Sequence, residues 1–202
     1  MMRGAWLITA LLAGCTAAPA PRTAEYLLGP TFAMEQAATV HTHPQAALTR
    51  VTVAPYLRSH GIVLETAQRR LETARDHRWA QPLDQSMRRV LQLTIAATSG
   101  LGVAAQPEAA EHAQILIAVD IHRFHGSADG HVQLVAEWQL RRAQDGSVAA
   151  RHHFAERTAT TAAGYRALVH AHAALTEELG TAIGRSLAGI QEREQNPGDR
   201  LN

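Results

Sequence analysis

The sequence has a single cysteine and no lysine among its 202 residues. One cysteine excludes a disulfide within the chain, and the absence of lysine excludes the lysine of a phosphate-binding P-loop. All 19 basic residues are therefore arginine, and they nearly balance the 18 acidic residues without forming a long basic run. This charge pattern does not indicate nucleic-acid binding.

The sequence also lacks an apolar run long enough to span a membrane as a helix, for which about 20 residues are needed. The apolar run near the N-terminus, Ala5–Ala13, has about nine residues and follows a short positive segment ending at Arg3. This arrangement is typical of a secretory signal peptide. We therefore expect residues 1–14 to be a signal peptide that is removed from the mature protein.

The end of this run, Leu12-Ala13-Gly14-Cys15, matches the lipobox of bacterial lipoproteins. Small residues let the signal peptidase approach the backbone between Gly14 and Cys15, and the Cys15 sulfur takes a diacylglyceryl group. We expect Cys15, carrying this lipid and an N-linked acyl chain, to be the membrane anchor, since several acyl chains give stable attachment. The alternative is an ordinary secreted protein with a chance cysteine near its cleavage site.

The residues after Cys15 predict where the protein is held. Residues 15–24 are small and include proline, which indicates a short lipidated tether. In bacteria with an outer membrane, Asp directly after the anchor cysteine tends to keep a lipoprotein in the inner membrane. Thr16 in this position therefore indicates export to the periplasmic face of the outer membrane.

The remaining chain is apolar enough to fold as one domain, which we place at residues 25–190, followed by a polar, flexible tail at 191–202. Short apolar or alternating runs predict strands at Glu25–Gly29, Leu48–Leu57, Gly61–Thr66 and Leu71–His77. Apolar residues at three- and four-residue steps predict a helix at Gln81–Thr98. Pro82 and Asp84 suit its first turn.

The second half of the chain has the clearest strand pattern. Alternating residues predict three strands, at Gln114–Phe124, His131–Arg141 and Val148–Thr158, and Asp145-Gly146 is a typical hairpin turn. Helical spacing returns at Ala163–Ile190. We expect an α+β fold: a single domain with a mainly antiparallel sheet, including this C-terminal three-strand meander, packed by two amphipathic helices.

Two features of these elements have more than one interpretation. Gly180 and Gly184 form a GxxxG pattern that permits either close packing within the fold or dimerisation, and close packing is the more common outcome in an amphipathic helix. Trp79 precedes the first helix, either as a core residue that fixes the start of the helix or as a contact with a partner or lipid. Trp79, Arg78 and Tyr56 are the residues that we select as partner contacts.

The sequence contains no constellation that predicts catalysis or metal binding. Twelve histidines include four close pairs, and in three of them the spacing on a strand or helix makes the two side chains point apart. His41 and His43 are two residues apart and would share one face of a strand, but Pro44 and its surroundings indicate a loop. We therefore interpret the pairs as solvated surface residues: His41/His43, His122/His125, His152/His153 and His170/His172. GxSxG and HExxH motifs are missing, so we expect no enzymatic activity, no metal and no cofactor beyond the covalent lipid.

Several of these segments resemble the PqiC-type (YmbA, DUF330) auxiliary lipoproteins that accompany MCE-domain ABC transport systems. The most specific stretch, His77–Leu83 (HRWAQPL), is similar to the family's HRWAEPL, with Gln81 in place of Glu. The lipobox and three other segments also fit the family: Tyr26–Leu28, Val51–Leu57 with Gly61–Val63, and Gly164–Val169. The chain differs at Leu64–Thr66, where family members often carry Arg.

The resemblance implies a non-catalytic, outer-membrane lipoprotein with an α/β fold that docks a periplasmic MCE-domain protein and supports lipid transport between the membranes. A ring of identical copies is compatible with it, because a small sheet leaves strand edges open for pairing. The alternative is a stand-alone envelope lipoprotein that binds a small hydrophobic ligand or activates a cell-wall enzyme.

Overall fold

The computed structural model describes residues 23–30, 35, 44–105 and 111–195, and its elements form one layered domain. The strands β1 to β8 are, in chain order, Ala24–Tyr26, Ala46–Val53, Gly61–Glu65, Leu71–Trp79, Val103–Ala104, Ile115–Ser127, His131–Arg142 and Val148–Ala159. The helices are α1, Leu83–Ser99, and α2, Tyr165–Gln195, and a 3-10 turn at Pro55–Arg58 follows β2. The predicted single α+β domain with two helices is thereby confirmed.

The sheet is mixed, so the prediction of a mainly antiparallel sheet was wrong. The pairs β1–β4, β2–β5, β2–β6 and β3–β6 are parallel, whereas β3–β4, β6–β7 and β7–β8 are antiparallel. Alternation of apolar and polar residues predicts a strand with one covered face but not the direction of its neighbour. Three of these parallel pairs, β2–β5, β2–β6 and β3–β6, join segments whose connection in the chain contains α1, as for Leu48 with Ile117.

Strand β6 is long enough to pair with two strands along the same edge. Its first part, Ile115–Ile121, pairs with β2, and its end, Gly126–Ser127, pairs with β3. The chain passes from β2 to β3 through the 3-10 turn. Pro55 begins this turn and ends β2, because proline has no N–H to donate to a neighbouring strand. This turn therefore lies beside the part of β6 that neither parallel strand covers.

The apolar face of the sheet packs against both helices. Alternate residues of β6 and β7 are buried there, including Ile117, Val119, Leu134 and Leu140. From the helices, α1 adds Met87, Leu91 and Ile95, and α2 adds Leu175, Leu179, Ile183 and Leu187. Burying these side chains removes apolar surface from water, which is the main favourable contribution to folding.

The two helices approach closely at the predicted GxxxG pattern. A Cβ atom at Gly180 would lie 2.7 Å from Thr94 Cβ, and one at Gly184 would lie 2.6 Å from Thr98 Cβ. Both distances are too short for a real side chain, so these glycines allow contact between α1 and α2. The close-packing interpretation is confirmed.

The helix ends differ slightly from prediction. Helix α1 ends at Ser99, and Gly100 caps it: its φ of 71° is the left-handed conformation that glycine tolerates, and its N–H donates to Ala96 O. Helix α2 continues to Gln195, beyond the domain limit expected at Ile190. Neither helix of the described residues is long and apolar enough to cross a membrane.

Candidate functional site

An irregularity in β6 decides which residues reach each face of the sheet. Pairing between β6 and β7 shifts between Ile121 and Arg123, so that His122 is an extra residue in β6. Before this bulge the odd-numbered residues are buried, and after it Phe124 is buried beside α2. Arg123 and His125 consequently lie on the opposite side, which we call the open face because neither helix packs on it.

His125 is the centre of a polar network on the open face. His125 Nε2 lies 3.1 Å from Glu65 Oε2 at the end of β3, and its Nδ1 lies 2.9 Å from the Tyr56 hydroxyl on the 3-10 turn. Since a carboxylate only accepts, Nε2 carries the proton and donates to Glu65, and Tyr56 donates to Nδ1. Gln133 Nε2 on β7 donates to the same Glu65 oxygen over 3.0 Å. The network joins β3, β6, β7 and the turn.

The surroundings of the network fix its charge states. Burial lowers the pKa of His125, which is 3% exposed, although the hydrogen bond to Glu65 partly opposes this shift. The hydrogen bond from His125 lowers the pKa of Glu65. Burial raises the pKa of Tyr56. At neutral pH the network thus contains a neutral imidazole, a carboxylate and a protonated phenol.

This order of groups is similar to a hydroxyl–imidazole–carboxylate relay, but its chemistry differs. A nucleophilic hydroxyl needs its proton removed by the base, and a base is most effective when its pKa is close to the working pH. Here the phenol is harder to ionise than usual and the imidazole is a weaker base than usual. The arrangement therefore favours a fixed hydrogen-bonded bridge between the strands over an activated nucleophile.

A groove of about 510 Å³ opens beside the network, between the β3–β4 turn and the β6–β7 hairpin. We call it the arginine groove, because Arg69, Arg123 and Arg157 line it together with Glu65, Ser127, Asp129 and Gln133. Arg157 forms an ion pair with Asp129, and Arg69 Nε lies 3.6 Å from Glu65 Oε1. Hydrogen bonds from Ser127 and Arg157 hold the pKa of Asp129 well below its usual range.

A second buried histidine lies on the helix side of the same region. His172 of α2 is 1% exposed, and its ring meets Phe124 and Trp79 edge-on at centroid distances of 4.5 and 5.5 Å. Its Nδ1 donates to Leu168 O over 2.8 Å. Burial lowers its pKa to about 4, so that this ring is a neutral core residue at pH 7.

The residues selected from the sequence lie in different surroundings. Gly14 and Cys15 are outside the described residues. Trp79 is only 5% exposed and packs in the core, as one of its two interpretations expects. Arg78 is exposed, and its Nε donates to Arg75 O. Tyr56 is half-buried in the polar network, so these three residues do not converge on one site, and their contact with a partner stays a prediction.

The interpretation of the histidine pairs as surface residues needs correction at two positions. His125 and His172 are buried, whereas their pair partners His122 and His170 are exposed. His152 and His153 are both exposed, and His41 and His43 lie outside the described residues. Among the residues that the structure describes, no three histidine, cysteine or acidic side chains are placed to hold a metal ion.

The polar network and the arginine groove were missed because their members are far apart in the chain. Glu65 and Gln133 are brought to His125 by strand pairing that the sequence alone does not specify. One signal was present: apolar residues alternate up to Ile121 and then resume three residues later at Phe124. That break in the two-residue period indicates a bulge, and it predicts Arg123 and His125 on the open face.

Comparison with known protein families gives one clear result. Residues 26–184 match the family model described as the ABC-type transport auxiliary lipoprotein component. The chain is also 31% identical over 139 residues to the intermembrane transport lipoprotein PqiC of Escherichia coli K12. That match covers 67% of this chain and 73% of PqiC, and a PqiC from Shigella flexneri matches equally well.

Solved structures with the same fold support this result at the level of the backbone. A crystal structure of an uncharacterized protein has a TM-score of 0.69 and 24% identity, and the match covers 82% of this chain and 99% of that one. Protein XCC0632 of Xanthomonas campestris, from the DUF330 family, has a TM-score of 0.61 and 17% identity, with 88% and 93% covered.

Proposed function

Because this chain belongs to the family of ABC-type transport auxiliary lipoprotein components, we propose that it is a non-catalytic accessory subunit of an MCE-type lipid-transport system of the bacterial envelope. The observation that carries the proposal is the family match over residues 26–184, which includes nearly all the described strands and helices. The name of its relative PqiC, an intermembrane transport lipoprotein, supports the same role.

The proposed place of action is the periplasmic face of the outer membrane. Cys15 carries the lipid, and Thr16 permits export from the inner membrane. Density-gradient fractions of the envelope test this placement. The wild-type protein is expected with outer-membrane markers, and Thr16→Asp is expected to move it to inner-membrane fractions. A conservative Thr16→Ser change serves as the control and keeps the outer-membrane position.

The proposed partner is the periplasmic MCE-domain protein, with a ring of identical copies as the form that docks it. Among the described residues, β8 pairs only with β7, so that its twelve residues offer a long strand edge for pairing with another chain. Its exposed polar side chains, including Arg151, His153 and Glu156, suit contact with another polar surface better than an apolar core.

Capture of partners by the full-length lipoprotein from solubilised envelopes tests this function. The MCE-domain protein is expected to be recovered with the wild-type chain, and a Cys15→Ser variant exported by a non-lipoprotein signal peptide controls for the anchor. Recovery of cell-wall enzymes alone would contradict the proposal and favour the stand-alone alternative. The other form of that alternative, a small hydrophobic ligand, is disfavoured at the arginine groove by its charged lining.

A further inference from the structure

The arginine groove combines charges of both signs in one concave place. Three guanidinium groups, from Arg69, Arg123 and Arg157, face two carboxylates, from Glu65 and Asp129. With His125 neutral beside them, the lining carries a formal charge of 3 − 2 = +1. The lining therefore offers partners of opposite sign to both charges of a ligand that carries one negative and one positive charge, with the excess of cations on the side of the anion.

The three arginines differ in whether a carboxylate already lies close to their guanidinium group. Arg157 is paired with Asp129, and Arg69 lies near Glu65. Arg123 has no carboxylate within ion-pair distance among residues 44–105 and 111–195. Its positive charge still reaches the network, where it lowers the pKa of His125. Arg123 is therefore the cation of the groove that is free to bind an anion.

Strand pairing holds these groups in a fixed arrangement. Gln133 of β7 lies between Arg157 of β8 and His125 of β6, and Arg123 lies two residues before His125 on the same face. The hydrogen bonds of Gln133 and His125 to Glu65 fix the floor of the groove. The sheet thus fixes the backbone positions from which Arg123 and Arg157 reach the groove.

We propose that the arginine groove binds a zwitterionic phosphodiester, of the kind found in a phosphoethanolamine headgroup. The phosphate, with one negative charge, lies against Arg123, because guanidinium and phosphate form paired charge-assisted hydrogen bonds. The ammonium group lies toward Asp129 and Glu65. That the headgroup belongs to a transported lipid rests on the proposed function. That a binding site exists rests only on the residues that line the groove.

Calorimetric titration of the full-length lipoprotein in nanodiscs tests the site with water-soluble probes. Glycerophosphoethanolamine represents the headgroup, and inorganic phosphate represents a free anion. Arg123→Gln is expected to weaken binding of glycerophosphoethanolamine at least about tenfold, since it removes a charge-assisted hydrogen bond. The matched control is Arg151→Gln, on the same open face but outside the groove, where its side chain donates to Gln139. This control is expected to change binding less than about twofold.

The possible results distinguish a headgroup site from a site for free phosphate. They also distinguish a failure of this inference from a failure of the proposed function. Tighter binding of glycerophosphoethanolamine than of phosphate, dependent on Arg123, supports a headgroup site; equal binding with the same dependence supports a phosphate site supplied by free anion. Absence of binding to both probes, or equal weakening by Arg123→Gln and Arg151→Gln, overturns the proposal. If the wild-type chain recovers the MCE-domain protein but binds neither probe, only this inference fails. If it binds the probe but recovers no such partner, only the proposed function fails.

Discussion

The two faces of the sheet near the β6 bulge show how neighbouring residues take on different roles. On the helix side, Phe124 is 2% exposed and packs against His172 and the apolar residues of α2. On the open face, Arg123 is exposed and His125 is held by Glu65 and Tyr56. The helix side stabilises the fold by removing apolar surface from water. The open face keeps charge at a fixed place, where a ligand can reach it.

The two buried histidines differ in the same way as the two faces. Within the part of the chain that the structure describes, the His172 ring has a backbone carbonyl as its one hydrogen-bond partner, and it packs against the rings of Trp79 and Phe124. His125 has a carboxylate on one side and a phenol on the other. Burial lowers the pKa of both rings, but only at His125 does a carboxylate partly reverse the shift. A buried histidine is thus either a neutral core residue or a bridge between polar groups, according to its partners.

The largest expected difference between the faces is in their contribution to stability. Phe124→Ala should lower the free energy of unfolding by roughly 3–5 kcal/mol, because it leaves a cavity between β6 and α2. Arg123→Ala, one residue earlier, should change it by no more than about 0.5 kcal/mol. Urea unfolding of both variants measures their free energies of unfolding. Similar losses in the two would contradict the placement of Phe124 on the helix side and Arg123 on the open face.

The next prediction concerns pH. The folded-state pKa of His172, about 4, lies below its ordinary value, so the unfolded chain takes up the proton first as pH falls. Stability from this group is present above about pH 6.5 and is lost toward pH 4. Between pH 7 and 4.5, wild type should therefore lose about 2 kcal/mol more than His172→Leu.

Unfolding curves of wild type and His172→Leu at both pH values measure this difference. His125 is present in both proteins, and so are Glu65 and Asp129, whose low pKa values also favour the folded state above acidic pH. Their contributions cancel in the comparison. Equal pH dependence of the two proteins would show that His172 is not a neutral core residue.

A smaller effect is expected where the two helices meet. Gly184→Ala places a Cβ atom 2.6 Å from Thr98 Cβ and 3.1 Å from Ile95 O, which forces α1 and α2 apart. The expected loss of stability is about 1–3 kcal/mol, reduced by the better helix propensity of alanine. Gly189→Ala, in the same helix but near only the flexible end of Arg193, is the control and should not destabilise the protein. Thermal unfolding compares them, and a neutral Gly184→Ala would contradict the close contact.

The smallest expected effect is confined to the polar network. Glu65→Gln removes the charge that partly restores the basicity of His125, so the pKa of His125 should fall further below its ordinary value. NMR titration of the His125 ring protons in wild type and Glu65→Gln follows this shift. An unchanged or raised pKa of His125 would show that Glu65 is not its partner in solution.

Much of the fold could be predicted from local patterns. The helices at Leu83–Ser99 and Tyr165–Gln195 follow from the spacing of apolar residues, and β6 and β7 from their alternation. The two-residue strand β5 carries too short a pattern to be found. The direction of β2 and β3 beside β6 depends on contacts between distant segments, which a single sequence does not reveal.

Less of the candidate site could be predicted, for a physical reason. Tyr56 was selected because of its motif, but its hydrogen bond to His125 depends on the path of the chain between β2 and β3. Glu65 appeared only as a departure from the family pattern, and in the fold it is the acceptor that organises the network. Charged residues of an open face follow no hydrophobic period, so their grouping becomes visible only when the strands are paired.

The proposed role depends most directly on the covalent state of Cys15. Mass spectrometry of the N-terminal peptide from protein purified out of the native envelope measures this state. We expect a mature chain that begins at Cys15 and carries a diacylglyceryl group on sulfur with an acyl chain on the amino group. An unmodified Cys15 thiol, or a chain that retains residues 1–14, would contradict it.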